Sequence, residues 1–143
     1  RIGLYSALAR QHISKVRGEI NRPGMASSEA EIRFFRDQIL ESDEECHTKI
    51  CNINDFYSLS MFKDLLFHAQ EHTFTIPLIR ACLKQLGLKF CGFESRKIIS
   101  HFKLTYTKKD DLYDLDKWHS YEEDNPNAFS VMYQFWCQKI DNR

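Results

Sequence analysis

Apolar residues recur at intervals of three or four along the first half of the chain, which is the spacing of one face of a helix. The stripe formed by Ile32, Phe35, Ile39 and Leu40 follows Ser28-Glu29-Ala30-Glu31, which has the spacing of a capping box. These patterns predict helices over residues 8–20, 28–40 and 59–70. The polar and aperiodic stretch 42–55 is predicted to be a loop.

The second half of the chain alternates shorter helical segments with apolar runs that suit strands. Thr75 is predicted to cap a helix with Pro77 in its first turn and Gly87 just past its end. Two more helices are predicted near 95–105 and 111–123, the second with a solvated end at Glu122-Glu123-Asp124. Strands are predicted at 2–5, 88–93 and 130–138, and the near-continuous apolar content of the last one indicates burial on both faces. This order of elements predicts one edge of an α/β sheet.

Charge and cysteine content narrow the classes of partner and compartment. Lys plus Arg number 20 and Asp plus Glu number 20, so no net charge attracts the chain to nucleic acid or to an anionic membrane. Five cysteines, an odd number, do not suggest a disulfide framework. No apolar run approaches the roughly twenty residues of a membrane span, and the chain opens without a signal peptide. The sequence therefore predicts a cytoplasmic protein.

Four segments, taken in order, resemble a known family. They are residues 2–10 (IGLYSALAR), 64–75 (DLLFHAQEHTFT), 86–93 (LGLKFCGF) and 127–139 (NAFSVMYQFWCQK). Together they resemble the C-terminal region of bacterial class I S-adenosylmethionine-dependent methyltransferases, particularly those fused behind tetratricopeptide repeats. The resemblance implies the C-terminal half of a Rossmann-like sheet, with its fifth strand at 2–5, its sixth at 88–93 and an antiparallel seventh at 130–138. It also implies a helical insertion at residues 6–74, which we expect to form a lid over the methyl acceptor.

The resemblance also implies where S-adenosylmethionine binds. In this family a glycine-rich loop after the first strand lies under the cofactor, because backbone amides must approach it closely. The five glycines of this chain stand at positions 3, 18, 24, 87 and 92, so no two lie within four residues of each other. We therefore expect the cofactor-binding half to precede Arg1, and we expect the isolated chain to bind no cofactor and to be inactive. The expected partners are that upstream half and an unidentified methyl acceptor.

Residues 68–72 are the candidate catalytic segment. The resemblance places them at the carboxyl ends of the strands, where ligands of open α/β sheets bind. A neutral imidazole of His68 or His72 could take a proton from the acceptor while the methyl group arrives, with Glu71 orienting it.

Three further residues stand where the first strand ends and the next helix begins. Tyr5, Ser6 and Arg10 are implied to border the acceptor pocket, and Arg10 could hold an anionic group of the acceptor. Ser6 could also cap the following helix. Because the sheet is cut beside its fifth strand, we expect the edge at residues 2–5 to favour self-association.

Two functions from other classes stay open at this point. His68-Ala69-Gln70-Glu71-His72 satisfies the H-x-x-E-H pattern of inverted zincins, which would make the chain a zinc hydrolase. Alternatively, the helices could form a non-catalytic module that binds another protein. Cys46, His47 and Cys51 lack the paired C-x-x-C knuckles of structural zinc, so no metal site is predicted there.

Overall fold

The computed structural model describes residues 1–20, 28–67 and 71–141. They form a mixed α/β structure. The strands are β1 (Ile2–Ser6), β2 (Thr73–Phe74), β3 (Leu88–Phe93) and β4 (Tyr133–Lys139). The helices are α1 (Gln11–Ile20), α2 (Glu29–Glu41), α3 (Glu45–Cys51), α4 (Leu59–Phe67), α5 (Ile76–Gln85), α6 (Arg96–Phe102) and α7 (Leu115–Asp124), with 3₁₀ helices at Asn54–Tyr57 and Lys109–Tyr113. None of the described helices has the length and apolar content required to cross a membrane.

The chain divides into two compact units. Arg1–Ala9 and His72–Arg143 form the first, which we call the sheet unit because it contains all four strands. Arg10–Glu71 form the second, which we call the helical unit.

The sheet unit is built on a four-stranded mixed sheet with the order β2-β1-β4-β3. β2 runs parallel to β1, and β4 runs antiparallel to both β1 and β3. The three predicted strands and the antiparallel direction of the last one are confirmed. The two-residue β2 was not predicted, and it pairs only with Tyr5 and Ser6 of β1.

Aromatic side chains dominate the core of the sheet unit. Trp118 stacks on Phe102 with ring centroids 3.7 Å apart, and its indole Nε1 donates to the carbonyl of Leu112 at 3.0 Å. Tyr133 and Phe135 of β4 are buried, whereas Trp136 is 51% exposed. The prediction that this strand is buried on both faces was therefore wrong, because the side chains alternate between a core face and an open face.

The helical unit has its own apolar core, and two predictions made for this unit were wrong. Residues 42–55 are not a loop, since they contain α3 and the start of a 3₁₀ helix, and Ile50 and Phe56 of these two helices are buried in the apolar core of the unit. Leu40 is 53% exposed although it was assigned to the apolar stripe of α2, because Ile39 already occupies that face. The predicted capping box is confirmed: the Ser28 side chain accepts from the backbone of Glu31.

Predicted helix ends are confirmed most clearly at α5. Thr75 Oγ1 accepts from the backbone amide of Leu78 at 3.3 Å, and Gly87 follows the helix with a φ of 65°. By contrast, Ser6 does not cap a helix directly, because α1 begins only at Gln11. The helix predicted over 111–123 is divided between the second 3₁₀ helix and α7, whose N-cap is Asp114.

Candidate functional site

The carboxyl end of β1 brings three of the predicted site residues into one region of the sheet unit. Tyr5 and Ser6 are its last two residues. Thr73 of β2 lies opposite Tyr5 in the parallel pair, and His72 directly precedes Thr73. The backbone amide of Ala7 continues the pairing by donating to the carbonyl of Phe74 at 2.8 Å. Tyr5 is partly exposed and His72 is exposed, so this region offers accessible polar groups near the end of β1.

Ser6 belongs to a buried hydrogen-bond network. Its hydroxyl donates to Glu122 Oε1 at 2.6 Å, and the Tyr133 hydroxyl lies 2.7 and 2.8 Å from the two oxygens of the same carboxyl group. The backbone amide of Ala9 donates to Ser6 Oγ at 3.1 Å. The exposed fractions of Ser6, Glu122 and Tyr133 are 1%, 2% and 0%. The network therefore joins the end of β1 to the start of β4 and to α7.

The position of Glu122 corrects its interpretation as part of a solvated helix end. Leu115, Trp118 and Glu122 are spaced by three and four residues, so they share the buried face of α7. Burial raises the pKa of the Glu122 carboxyl, while the Ser6 and Tyr133 hydroxyls act in the opposite direction. Burial likewise raises the pKa of the Tyr133 phenol, which keeps it a hydrogen-bond donor. The Ser6 hydroxyl, predicted to border the acceptor pocket, is directed to this network.

The raised pKa of Glu122 predicts a specific dependence of stability on pH. Because the folded carboxyl keeps its proton to a higher pH than the unfolded one, the folded state loses stability as pH rises from the ordinary glutamate range through the raised pKa. One proton limits the slope to about 1.4 kcal/mol per pH unit. Urea unfolding across pH 4–8 should show this loss in the wild type and not in Glu122→Gln, whose amide does not ionise. Asp124→Asn, an exposed neighbour on the same helix, should follow the wild type; a Glu122→Gln curve parallel to the wild type would contradict the prediction.

Arg10 and Glu71 pair with each other in the helical unit. Arg10 donates from Nη2 to Glu71 Oε1 at 2.6 Å and from Nε to Oε2 at 3.2 Å, a two-point contact between planar groups. Arg17 Nη1 lies 3.4 Å from Glu71 Oε2, and Arg17 also donates to the carbonyl of Leu65 at 2.8 and 2.5 Å. All three charged side chains are less than 15% exposed. Since Arg10 and Glu71 are the first and last residues of the helical unit, their ion pair joins its two ends.

This pairing bears on the roles predicted for the two residues. The sequence assigned Arg10 to an anionic acceptor group and Glu71 to a histidine, whereas the structure shows each neutralising the other. Sixty-one positions separate them, and no local pattern indicates the contact. His68, the first histidine of H-x-x-E-H, lies outside the described residues.

A groove of about 990 Å³ in the sheet unit was not anticipated from the sequence. It is lined by residues of α6, by the end of α7 and by the segment 125–134, and most of its surface is apolar. His101 Nδ1 and the Tyr121 hydroxyl, 2.8 Å apart, form a polar pair in its wall.

Groups that could hold a metal ion occur in the helical unit. Glu19, Glu44 and His47 each offer one ligand atom, and these atoms lie within 4.8 Å of one another. Cys46 and Cys51, which flank His47 in sequence, are free cysteines outside this group. Burial raises the pKa of the Cys51 thiol, which disfavours the thiolate that a metal requires.

The described glycines do not form a cofactor loop. Gly3, Gly18 and Gly92 lie inside β1, α1 and β3, and Gly87 connects α5 to β3. None of these four stands at a turn from a strand into a helix, so the described residues do not fit the amino-acid end of S-adenosylmethionine. No protein-family model, curated protein or solved structure matches this chain.

Proposed function

We propose that this chain is the C-terminal part of an S-adenosylmethionine-dependent methyltransferase. The proposal is carried by the sheet, in which the last strand, β4, runs antiparallel between β1 and β3. The resemblance of four ordered segments to class I methyltransferases implies an antiparallel final strand at this place in the sequence. The intact protein would transfer a methyl group to an acceptor nucleophile by in-line displacement, a reaction that depends mainly on alignment of donor and acceptor.

The contribution proposed for this chain is the acceptor side of the reaction. Tyr5 lies near the carboxyl end of β1, the kind of strand end where ligands of open α/β sheets bind, and His72 directly precedes Thr73, the residue that pairs with Tyr5. The imidazole of His72, an exposed residue, could take the proton of the methyl acceptor. Its position is set by the backbone of β2, which is hydrogen-bonded to β1.

The cofactor is assigned to another part of the protein. Because the described glycines do not form the loop that the cofactor requires, we propose that S-adenosylmethionine is bound by a region preceding Arg1. S-adenosylmethionine would supply the electrophilic methyl group there. The residues of this chain would bind and orient the acceptor and receive its proton.

Calorimetry with S-adenosylmethionine tests this proposal. The 143-residue chain should give no binding heat, whereas a protein extended by about one hundred residues encoded before Arg1 should bind the cofactor. Binding by the 143-residue chain alone would mean that the cofactor site lies within these residues and not before Arg1. Absence of binding by the extended, folded protein would remove the methyltransferase proposal itself.

A further inference from the structure

The geometry points to a divalent metal site in the helical unit, of the class that binds Zn²⁺, formed by Glu19, Glu44 and His47. Glu19 lies in the last turn of α1, Glu44 is the N-cap residue of α3, and His47 lies inside α3. Their ligand atoms lie within 4.8 Å of one another, although Glu19 and Glu44 are 25 positions apart in sequence. This site is independent of the proposed methyl transfer.

His47 is held at both ring nitrogens. Nε2 lies 2.8 Å from Glu19 Oε2, and Nδ1 lies 2.7 Å from Ser42 Oγ. Ser42 Oγ also accepts from the backbone amide of Glu44 at 3.2 Å, and it has a second lone pair for Nδ1–H. With Nδ1–H donated to Ser42, a cation can replace the proton at Nε2 and bind there together with the Glu19 carboxylate. A second hydrogen-bond partner that fixes the tautomer is characteristic of metal-binding histidines.

Glu44 supplies the third ligand, because its carboxylate does not cap helix α3 and is therefore available to a metal ion. Ser, Thr, Asp and Asn are the usual N-cap residues, and the Glu44 side chain makes no capping hydrogen bond. Its ionic contact is with Lys15 Nζ at 3.8 Å, and both side chains are more than half exposed. Such an exposed and long contact is weak, so a metal ion can displace it.

The donor set selects the metal class. One imidazole nitrogen with two carboxylate oxygens suits Zn²⁺, whose bonds to these atoms are about 2.0–2.2 Å long and leave a fourth position for water. Mg²⁺ and Ca²⁺ prefer all-oxygen sites. Ligand atoms of a tetrahedral zinc lie roughly 3.3 Å apart, so the Glu19–His47 contact must widen slightly and the Glu44 carboxylate must turn inward. Both are rotations of side chains at a partly exposed site: His47 is 11% and Glu19 23% exposed.

Binding of zinc would fasten α1 to α3. A ligand that binds only the folded state raises its stability, so metal binding should be visible as thermal stabilisation as well as directly. This gives the test a readout that does not depend on any enzymatic activity.

The test uses the 143-residue chain after treatment with EDTA and dialysis. Calorimetric titration with ZnCl₂ should show one zinc per chain, and the melting temperature should rise with zinc. His47→Ala and the nearly isosteric Glu19→Gln should each weaken binding roughly tenfold or more. Circular dichroism in EDTA checks that both variants are folded. If His47→Ala is unfolded, Glu19→Gln alone tests the site.

Two matched controls separate this site from other zinc binding. The first control is Glu45→Gln. Glu45 is next to Glu44 in sequence but contacts Lys49 at 2.7 Å, so this variant should bind zinc like the wild type. His72→Ala removes one histidine of H-x-x-E-H and should also leave zinc affinity unchanged. Absence of zinc binding by the wild type overturns the proposal. So does zinc binding that survives Glu19→Gln or that is lost in His72→Ala.

Discussion

Replacing Glu71 with alanine is expected to lower the free energy of unfolding by about 3 kcal/mol. The change leaves the guanidinium groups of Arg10 and Arg17 close together, 12% and 14% exposed, without the carboxylate that both contact. Removing one partner of a largely buried ion pair costs more than the pair contributes, because the remaining charge is not solvated. Urea unfolding followed by circular dichroism measures the difference.

An exposed ion pair in the same unit provides the control. Glu45 contacts Lys49 at 2.7 Å one helical turn away, and both side chains are more than half exposed. Glu45→Ala should therefore change the free energy of unfolding far less than Glu71→Ala does. Equal effects of the two substitutions would mean that the ion pair at the ends of the helical unit contributes no more than a surface contact.

Replacing His72 with alanine in the extended, cofactor-binding protein should lower turnover about a hundredfold. The expected cause is loss of the base that removes the proton from the methyl acceptor. Cofactor affinity should therefore stay unchanged, and the pH–rate profile should lose one limb. The same substitution at His68 distinguishes the two histidines of the candidate segment. Steady-state kinetics and calorimetry together provide these measurements.

His101→Ala is the matched control for that experiment. His101 is an exposed histidine of the sheet unit whose partner is the Tyr121 hydroxyl, and its loss should leave turnover near normal. Near-normal turnover of both His72→Ala and His68→Ala would show that the segment is structural. Methyl transfer would then depend on alignment of the reactants without a protein base.

Elements specified by short-range chemistry were predicted correctly from the sequence. The capping box of α2 needs only Ser28 and Glu31, and α5 is delimited by Thr75, Pro77 and Gly87. The strands β1 and β3 follow from short apolar runs. Each of these signals acts between residues a few positions apart, so it can be recognised without knowledge of the rest of the fold.

The environments of the candidate site residues could be predicted from the sequence only in part. Tyr5 and His72 were both assigned to the carboxyl ends of the strands; Tyr5 lies near the carboxyl end of β1, whereas His72 directly precedes β2, whose first residue, Thr73, pairs with Tyr5. Glu122 was assigned to solvent, since a run of three acidic residues at a helix end usually is exposed. Only the packing of α7 determines which of the three residues is buried.

The sequence by itself determined the α/β class, the three longer strands and the ends of α2 and α5, because these depend on neighbours along the chain. The tertiary structure alone decided the contacts that define the sites: Ser6 with Glu122, 116 positions apart, and Arg10 with Glu71, 61 positions apart. It also placed the two-residue β2 beside β1, although so short a segment has little propensity of its own. These contacts arise where separate strands and helices bring polar groups together away from water, and burial then makes each unpaired group costly.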